Sequence, residues 1–241
     1  MFVFPMLGRS SRFFNAGYTV PKYKLPLGKK GQVVFDHVLG SFRRYFGTDL
    51  FVLMCREDTN DRAFLIDRMR ALGVRRFEVI EHAGETAGQA ESVELSLERA
   101  QEEEELFIFN IDTILYNFEK DIARGEVAGY LEVFRGEGAH WSFLEPSPNI
   151  PCHAARVVEK ERISDLCSNG LYYFATVSTF KDALNAYRQK HKAVTGELYV
   201  APLYNELIER GQSVRYKLVP AGEIGFCGLP KEYVELCRNL S

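Results

Sequence analysis

At 241 residues the chain is long enough for one large α/β domain or two small ones, and it can bury a substantial core without staples. With 30 Lys and Arg against 33 Asp and Glu, its formal net charge of -3 argues against a broad non-specific nucleic-acid surface and leaves room only for a local basic patch. The mixture of 46% apolar and 26% charged residues excludes intrinsic disorder.

In chain order, residues 2–7 form an apolar run ending at Gly8 and read as a buried strand. A long polar loop, 8–31, follows. Residues 33–46 carry Val34, Val38, Phe42 and Phe46 at helical spacing. A second buried strand is expected at 50–55, and an amphipathic helix at 61–72 with Gly73 as its stop. A strand at 77–80, a helix at 86–100 and a strand at 106–111 complete a βαβ series, which predicts right-handed crossovers and a mainly parallel sheet. The second half changes character. Strands at 129–134, 141–144, 155–159 and 171–174 have no helices between them, which predicts an antiparallel extension. Helices at 177–190 and 200–210, a strand at 214–219 and a closing helix at 230–240 end the chain. The acidic run 102–105 reads as a solvated loop. One domain, 1–241, is expected, with halves at 1–115 and 116–241.

The opening apolar run is too short for a signal peptide and precedes its basic residues, and no later stretch approaches ~20 apolar residues. No membrane span is expected. Cys55, Cys152, Cys167, Cys227 and Cys237 form no CxxC pair and read as reduced thiols of a cytoplasmic protein.

Four segments carry chemistry. After the first strand, Leu7, Gly8, Arg9, Ser10, Ser11 and Arg12 form a loop of small and basic residues, the means by which backbone N–H groups are brought against phosphates. It is neither a Walker A loop nor a GxGxxG turn. Further along, Pro21 and Pro26 stiffen the segment around Lys22, a point charge suited to phosphate oxygens that gain charge during transfer. Asn110 and Asp112 end a strand at the same crevice, where a carboxylate suits Mg²⁺ bridging phosphates or simply caps a turn. Thr86, Gly88 and Gln89 open a helix with small residues that admit a flat ligand, and Gln89 has the paired donor and acceptor that a base edge needs. The plainer reading is Thr86 as a helix cap.

The order PMLGRSSRF, AGYTVPK, TAGQAESV, FNID resembles the sugar-nucleotide pyrophosphorylases, nucleotidyltransferases with an A-type glycosyltransferase-like fold. The likeness continues through Val158-Glu159-Lys160, the run from Asn169 to Phe174, and Gly228-Leu229-Pro230. It implies a Rossmann-like, mixed but mainly parallel α/β sheet flanked by helices, and transfer of a nucleotidyl group from an NTP to a phosphorylated acceptor. By the same resemblance, Leu7 to Ser11 wrap the triphosphate, Arg12 grips the departing pyrophosphate, and Lys22 steadies the α-phosphate. Gly88 and Gln89 contact the base, and Asp112 binds Mg²⁺. Glu159, Lys160, Tyr172 and Asn205 face the acceptor. GYLEVFRGEGAHWSF, EKERISDLCSNGLYYF and ELYVAPLYNELI are similar to a bacterial capsule-biosynthesis subgroup with cytidylyltransferases, one of which acts on phosphoglutamine, and CTP is favoured through that likeness alone.

The sequence departs from the family twice. Ser10 stands where the family usually has a second glycine, and Phe226 stands where it has a second metal-binding Asp. Glu223 is the nearby carboxylate expected as a substitute. No general base is required, since an acceptor phosphate is already ionised, so His37, His82, His140, His153 and His191 are read as structural. Trp141 reads as a core aromatic before an acceptor contact. A glycosyltransferase using a nucleotide sugar and a non-catalytic nucleotide-binding subunit are the alternatives. The combination of Arg12, Lys22 and Asp112 argues against both. No nucleic-acid or membrane partner is expected.

Overall fold

Apolar residues run continuously through residues 2–4, 51–55 and 106–109 because both faces of these strands are covered. In the computed structural model, which describes residues 1–121, 125–191 and 196–240, β1 (Phe2–Pro5), β2 (Leu50–Arg56), β3 (Arg76–His82) and β4 (Leu106–Phe109) lie in the order β3-β2-β1-β4, all parallel. Between them run α1 (Ser11–Asn15), α2 (Val34–Gly40), α3 (Arg62–Leu72) and α4 (Gln89–Ser96). The chain continues through β5 (Thr113–Leu115), β6 (Gly129–Arg135), β7 (Ser142–Pro146), β8 (Ala154–Glu159) and β9 (Leu166–Phe174). It ends with α5 (Val177–Lys190), α6 (Tyr204–Glu209), β10 (Val214–Leu218), β11 (Ile224–Phe226) and α7 (Pro230–Asn239).

One sheet runs through both halves. β9 pairs antiparallel with β4 and with β6, and β10 is parallel to β6, giving the order β10-β6-β9-β4-β1-β2-β3. β7 joins β9 through Phe143 and Cys167 and carries β8 as a hairpin. The architecture is the expected α/β one, a mixed sheet flanked by helices with an antiparallel extension. Alternation along β1 and β4 divides the core. Phe2, Phe4, Phe107 and Phe109 face α2 and α3, where Phe42 packs 4.7 Å from Phe2 and 5.0 Å from Phe109. Val3, Leu106 and Ile108 face α4, α5 and α6 through Val93, Phe180 and Leu207. No described helix is long and apolar enough to cross a membrane.

Four local expectations change. The loop 8–31 contains α1 and a 3-10 turn at Lys22–Lys24. The helix expected at 33–46 stops at Gly40 and resumes as a 3-10 turn, Arg43–Tyr45, with Phe42 and Phe46 still buried. The helix expected at 86–100 shortens to α4, because Gly88 at φ 148°, ψ -169° is extended beyond any helical geometry. β5 and β11 form a separate antiparallel two-stranded sheet that three-residue runs do not announce. Gly73, at φ 81°, ends α3 as expected.

Candidate active site

Two adjoining hollows of about 660 and 560 Å³ open beyond the carboxyl ends of β1 and β4 and share Arg9, Lys22, Asn110, Asp112, Glu159 and Glu197. Leu7, Gly8, Thr86, Gly88 and Gln89 line the first, and Ser10, Ser11 and Arg12 the second. The loop leaving β1 is rooted on β2 by Met6 N–H donating to Met54 O at 2.8 Å. Ser10 adopts φ 53°, ψ 27°, the left-handed region that glycine favours. The loop thus keeps the turn of a glycine while carrying a serine. Ser10 Oγ accepts from Lys22 N–H at 3.3 Å, tying the two arms of the loop together.

Lys22 opens a turn whose next two residues are anchored, since Tyr23 and Lys24 both bond the buried Asp61. Its Nζ donates to Asp112 Oδ2 at 2.6 Å, where the hollows meet. Asp112 is fixed through its backbone, because Cys227 N–H and Sγ both donate to Asp112 O, at 2.9 and 3.1 Å. Burial raises the pKa of that thiol.

In the first hollow Gln89 Nε2 donates to Asn110 Oδ1 at 2.6 Å. A Cβ on Gly170 would lie 2.6 Å from Asn110 Nδ2, so this glycine, at φ 91°, allows β9 to close on the pair. A Cβ on Gly88 would collide with the Leu198 backbone, with which Ala87 O and Ala90 N–H bond at 2.7 and 2.9 Å. Thr86 does not cap α4. Its hydroxyl meets Gly88 O at 3.2 Å and Ser92 Oγ at 2.9 Å. Arg9 and Arg56 both bond Glu85, which lowers that carboxyl's pKa, with Arg9 the larger cause.

On a wall common to both hollows Ser142 faces Glu159 across β7 and β8 and donates to its carboxylate. Tyr172 OH lies 3.1 Å from Ser142 Oγ, and burial pushes its pKa up to about 12. Burial also raises Glu159, a shift that the Ser142 bond opposes. Trp141, Phe226 and Phe134 make one aromatic wall with centroids 4.9–5.1 Å apart. Phe226 is thus part of an aromatic cluster, packed on Phe134 and Trp141. Trp141 is both half-buried packing and cleft lining, and the His140 ring lies 4.4 Å from it, tilted by 37°.

Two expected acceptor residues stand apart from both hollows. Asn205 bonds β8 with both ends of its amide, accepting from Val157 N–H at 2.9 Å and donating to Val157 O at 2.7 Å. Lys160, at φ 56°, turns its ammonium over the Tyr199 ring at 4.4 Å and lines a neighbouring hollow.

A structure of a nucleoside-diphosphate-sugar pyrophosphorylase from Vibrio cholerae RC9 is 41% identical to this chain, covers 99% of it and 100% of the other, and superposes with a TM-score of 0.92. The chain belongs to the nucleoside-diphosphate-sugar pyrophosphorylase family. It is thereby a nucleotidyltransferase by class. Two more distant structures share the fold. An inositol-1-phosphate CTP transferase from T. maritima is 18% identical over 99% of this chain and 94% of its own, with a TM-score of 0.72. A UDP-glucose pyrophosphorylase complexed with UDP-glucose is 14% identical over 99% and 97%, also at 0.72. No family model matches the chain, and no curated protein matches it.

Within this pyrophosphorylase framework the expected substitute carboxylate proves misplaced. Glu223 precedes β11, where its carbonyl accepts from Tyr116 N–H at 3.0 Å, about 10 Å of extended chain before Phe226. It lines neither hollow. The carboxylate that returns toward Asp112 is Glu232, on the first turn of α7. A Cβ on Gly228 would lie 3.0 Å from Asp112 Oδ2 and 3.6 Å from Glu232 Oε2. Sequence separation concealed this, although Pro230 at the helix start with Glu232 two residues on is a legible N-terminal signature. Glu232 also accepts from Leu229 N–H at 2.9 Å, so capping engages part of its capacity. Among the described residues no three His, Cys, Asp or Glu side chains gather as a cation cage. His37 and His153 bond backbone carbonyls at 3.0 and 2.8 Å.

Proposed function

We propose that the chain joins an NTP, CTP favoured, to a phosphorylated small molecule such as a sugar phosphate or phosphoglutamine, releasing pyrophosphate, in the cytoplasm and for capsule or surface polysaccharide synthesis. The Lys22–Asp112 pair at the junction of the two hollows carries this reading. One hollow suits a nucleoside and the other a phosphorylated acceptor, so the pair stands where the reacting phosphates would meet. The CTP and capsule assignments rest on the subgroup resemblance of the second-half motifs.

The chain's own residues then act by positioning and charge. Gly88, Gln89 and Asn110 hold the base, and Leu7 to Ser11 follow the triphosphate. Arg12 and Arg9 neutralise the β- and γ-phosphates. Lys22 faces the α-phosphate, whose bond to the leaving pyrophosphate breaks as an acceptor phosphate oxygen attacks in line. Glu159 and Tyr172 face the acceptor. The donor set fits Mg²⁺ in a modest way. Asp112 already binds a cation, the Lys22 ammonium, and Mg²⁺ is content with one or two carboxylates completed by phosphates and water. When bound, the ion would neutralise phosphate charge beside Asp112.

The test is pyrophosphate release on incubating the protein with Mg²⁺, each NTP in turn, and a panel of sugar 1-phosphates, phosphocholine and phosphoglutamine. Release that requires an acceptor supports the reading. Transfer from a nucleotide sugar, or nucleotide binding without turnover on the whole panel, overturns it.

A further inference from the structure

The carboxylates of the cleft differ in their partners: Asp112 and Glu85 pair with Lys22 and Arg9, whereas Glu159 takes the Ser142 hydroxyl. Arg9, Arg12 and Lys22 belong to the loop side. The opposite side contributes Glu159 from β8 with an aromatic surface built from Trp141 and Phe226, 5.0 Å apart. Lys160, which follows Glu159 in sequence, turns over Tyr199 and pairs with Glu197 at 4.0 Å, so the carboxylate that faces the aromatic surface is that of Glu159.

The hydrogen-bond directions reinforce the contrast. The indole N–H of Trp141 donates to Glu137 O at 2.9 Å, so the ring brings π surface rather than a donor to the hollow. The Ser142 hydroxyl donates to Glu159 and steadies its carboxylate. A ring of sugar hydroxyls is matched by donors and acceptors in alternation. A wall of carboxylate oxygens and aromatic faces is matched by a cation, which both features attract and which relieves the cost of a half-buried carboxylate.

We propose that the phosphorylated acceptor carries an amino or quaternary ammonium group, seated between Glu159 and the Trp141–Phe226 wall while its phosphate points to Lys22 and Arg12. This rests on the nucleotidyltransferase reading and narrows its acceptor to phosphorylated amines. The group transfer is unchanged. An acceptor phosphate oxygen bonds to the α-phosphorus, the bridge to the β-phosphorus breaks, pyrophosphate leaves, and the ammonium takes no part in the bond changes.

Pairs of charged and neutral isosteres test it. Calorimetric affinities are measured for phosphocholine against 3,3-dimethylbutyl phosphate and for phosphoethanolamine against propyl phosphate, with pyrophosphate release followed for the same compounds and for glucose 1-phosphate. At least one charged compound should bind about tenfold tighter than its neutral partner, and Glu159→Gln should bring that ratio toward one. Equal affinities in both pairs, or a ratio that survives Glu159→Gln, overturn the inference. Turnover of glucose 1-phosphate without any preference for the amines defeats the inference and leaves the nucleotidyltransferase reading in place. A charge preference in binding with no pyrophosphate from any acceptor defeats that reading and leaves the cation subsite standing.

Discussion

The loop side of the cleft and its β7–β9 side place their polar groups by different means. On the loop side backbone geometry does the placing, through Ser10 in a left-handed turn, Met6 clipped to β2, and Lys22 set just before two residues anchored on Asp61. The side chains there, Arg9 and Arg12, are exposed at the mouth. On the other side strand register does the placing. Ser142 stands opposite Glu159, Tyr172 is 4% exposed, and the aromatic wall interlocks. Exposed cations on a fixed loop suit phosphates, which every nucleotide carries alike. Half-buried groups on rigid strands suit discrimination among acceptors.

The sharpest way to break the comparison is at the junction. Lys22→Ala and Asp112→Asn should each lower turnover by at least ~10²-fold, the scale of losing a charge-stabilising group, as measured by pyrophosphate release. Full activity in either would remove the pair from the chemistry. Next is Gly88→Ala, which places a methyl group against the Leu198 backbone at a φ that side chains avoid. It should cost about 2 kcal/mol in denaturant unfolding and raise the KM for NTP. An unchanged midpoint would show that the two segments separate freely.

A pH series sharpens the strand side. Burial raises the Glu159 carboxyl above its ordinary value of about 4.3. Protonation removes its charge, so the ratio of charged to neutral acceptor binding should fall on acidification, and should begin to fall at a higher pH than for a free glutamate. The ratio cancels titration of the two phosphates. A ratio flat down to pH about 4 would take Glu159 out of the wall. Asn205→Ala should lower stability by about 1–3 kcal/mol with kcat unchanged, since its amide serves β8 and not the cleft. A raised acceptor KM at unchanged stability would restore it as an acceptor residue. The smallest effect is expected from Glu85→Gln, which loosens Arg9 and lowers the KM for NTP about twofold.

Much of this was legible because period and punctuation agree with the fold. β1, β2 and β4 are apolar runs, α3 ends at Gly73, and the residues after β1 and β4 face one crevice because parallel strands point their carboxyl ends the same way. What escaped depended on contacts distant in sequence. α1 has five residues and is defined by its place on the loop rather than by a periodic face. β5 and β11 pair only once residues 113–115 and 224–226 meet. Glu223 is nearer than Glu232 to Phe226 along the chain, but the turn through Gly228 brings Glu232 toward Asp112. Lys160 follows Glu159 in a familiar motif, yet its positive φ sends the side chain elsewhere.

Asn205 has a consequence for how the molecule behaves in a crowd. Among the described residues β8 pairs only with β7, so its outer edge would offer peptide groups to a passing strand. The Asn205 amide imitates the missing neighbour at Val157, accepting where a carbonyl would and donating where an N–H would. One side chain thus satisfies the sheet margin at its middle, and it belongs to a residue that lines neither hollow.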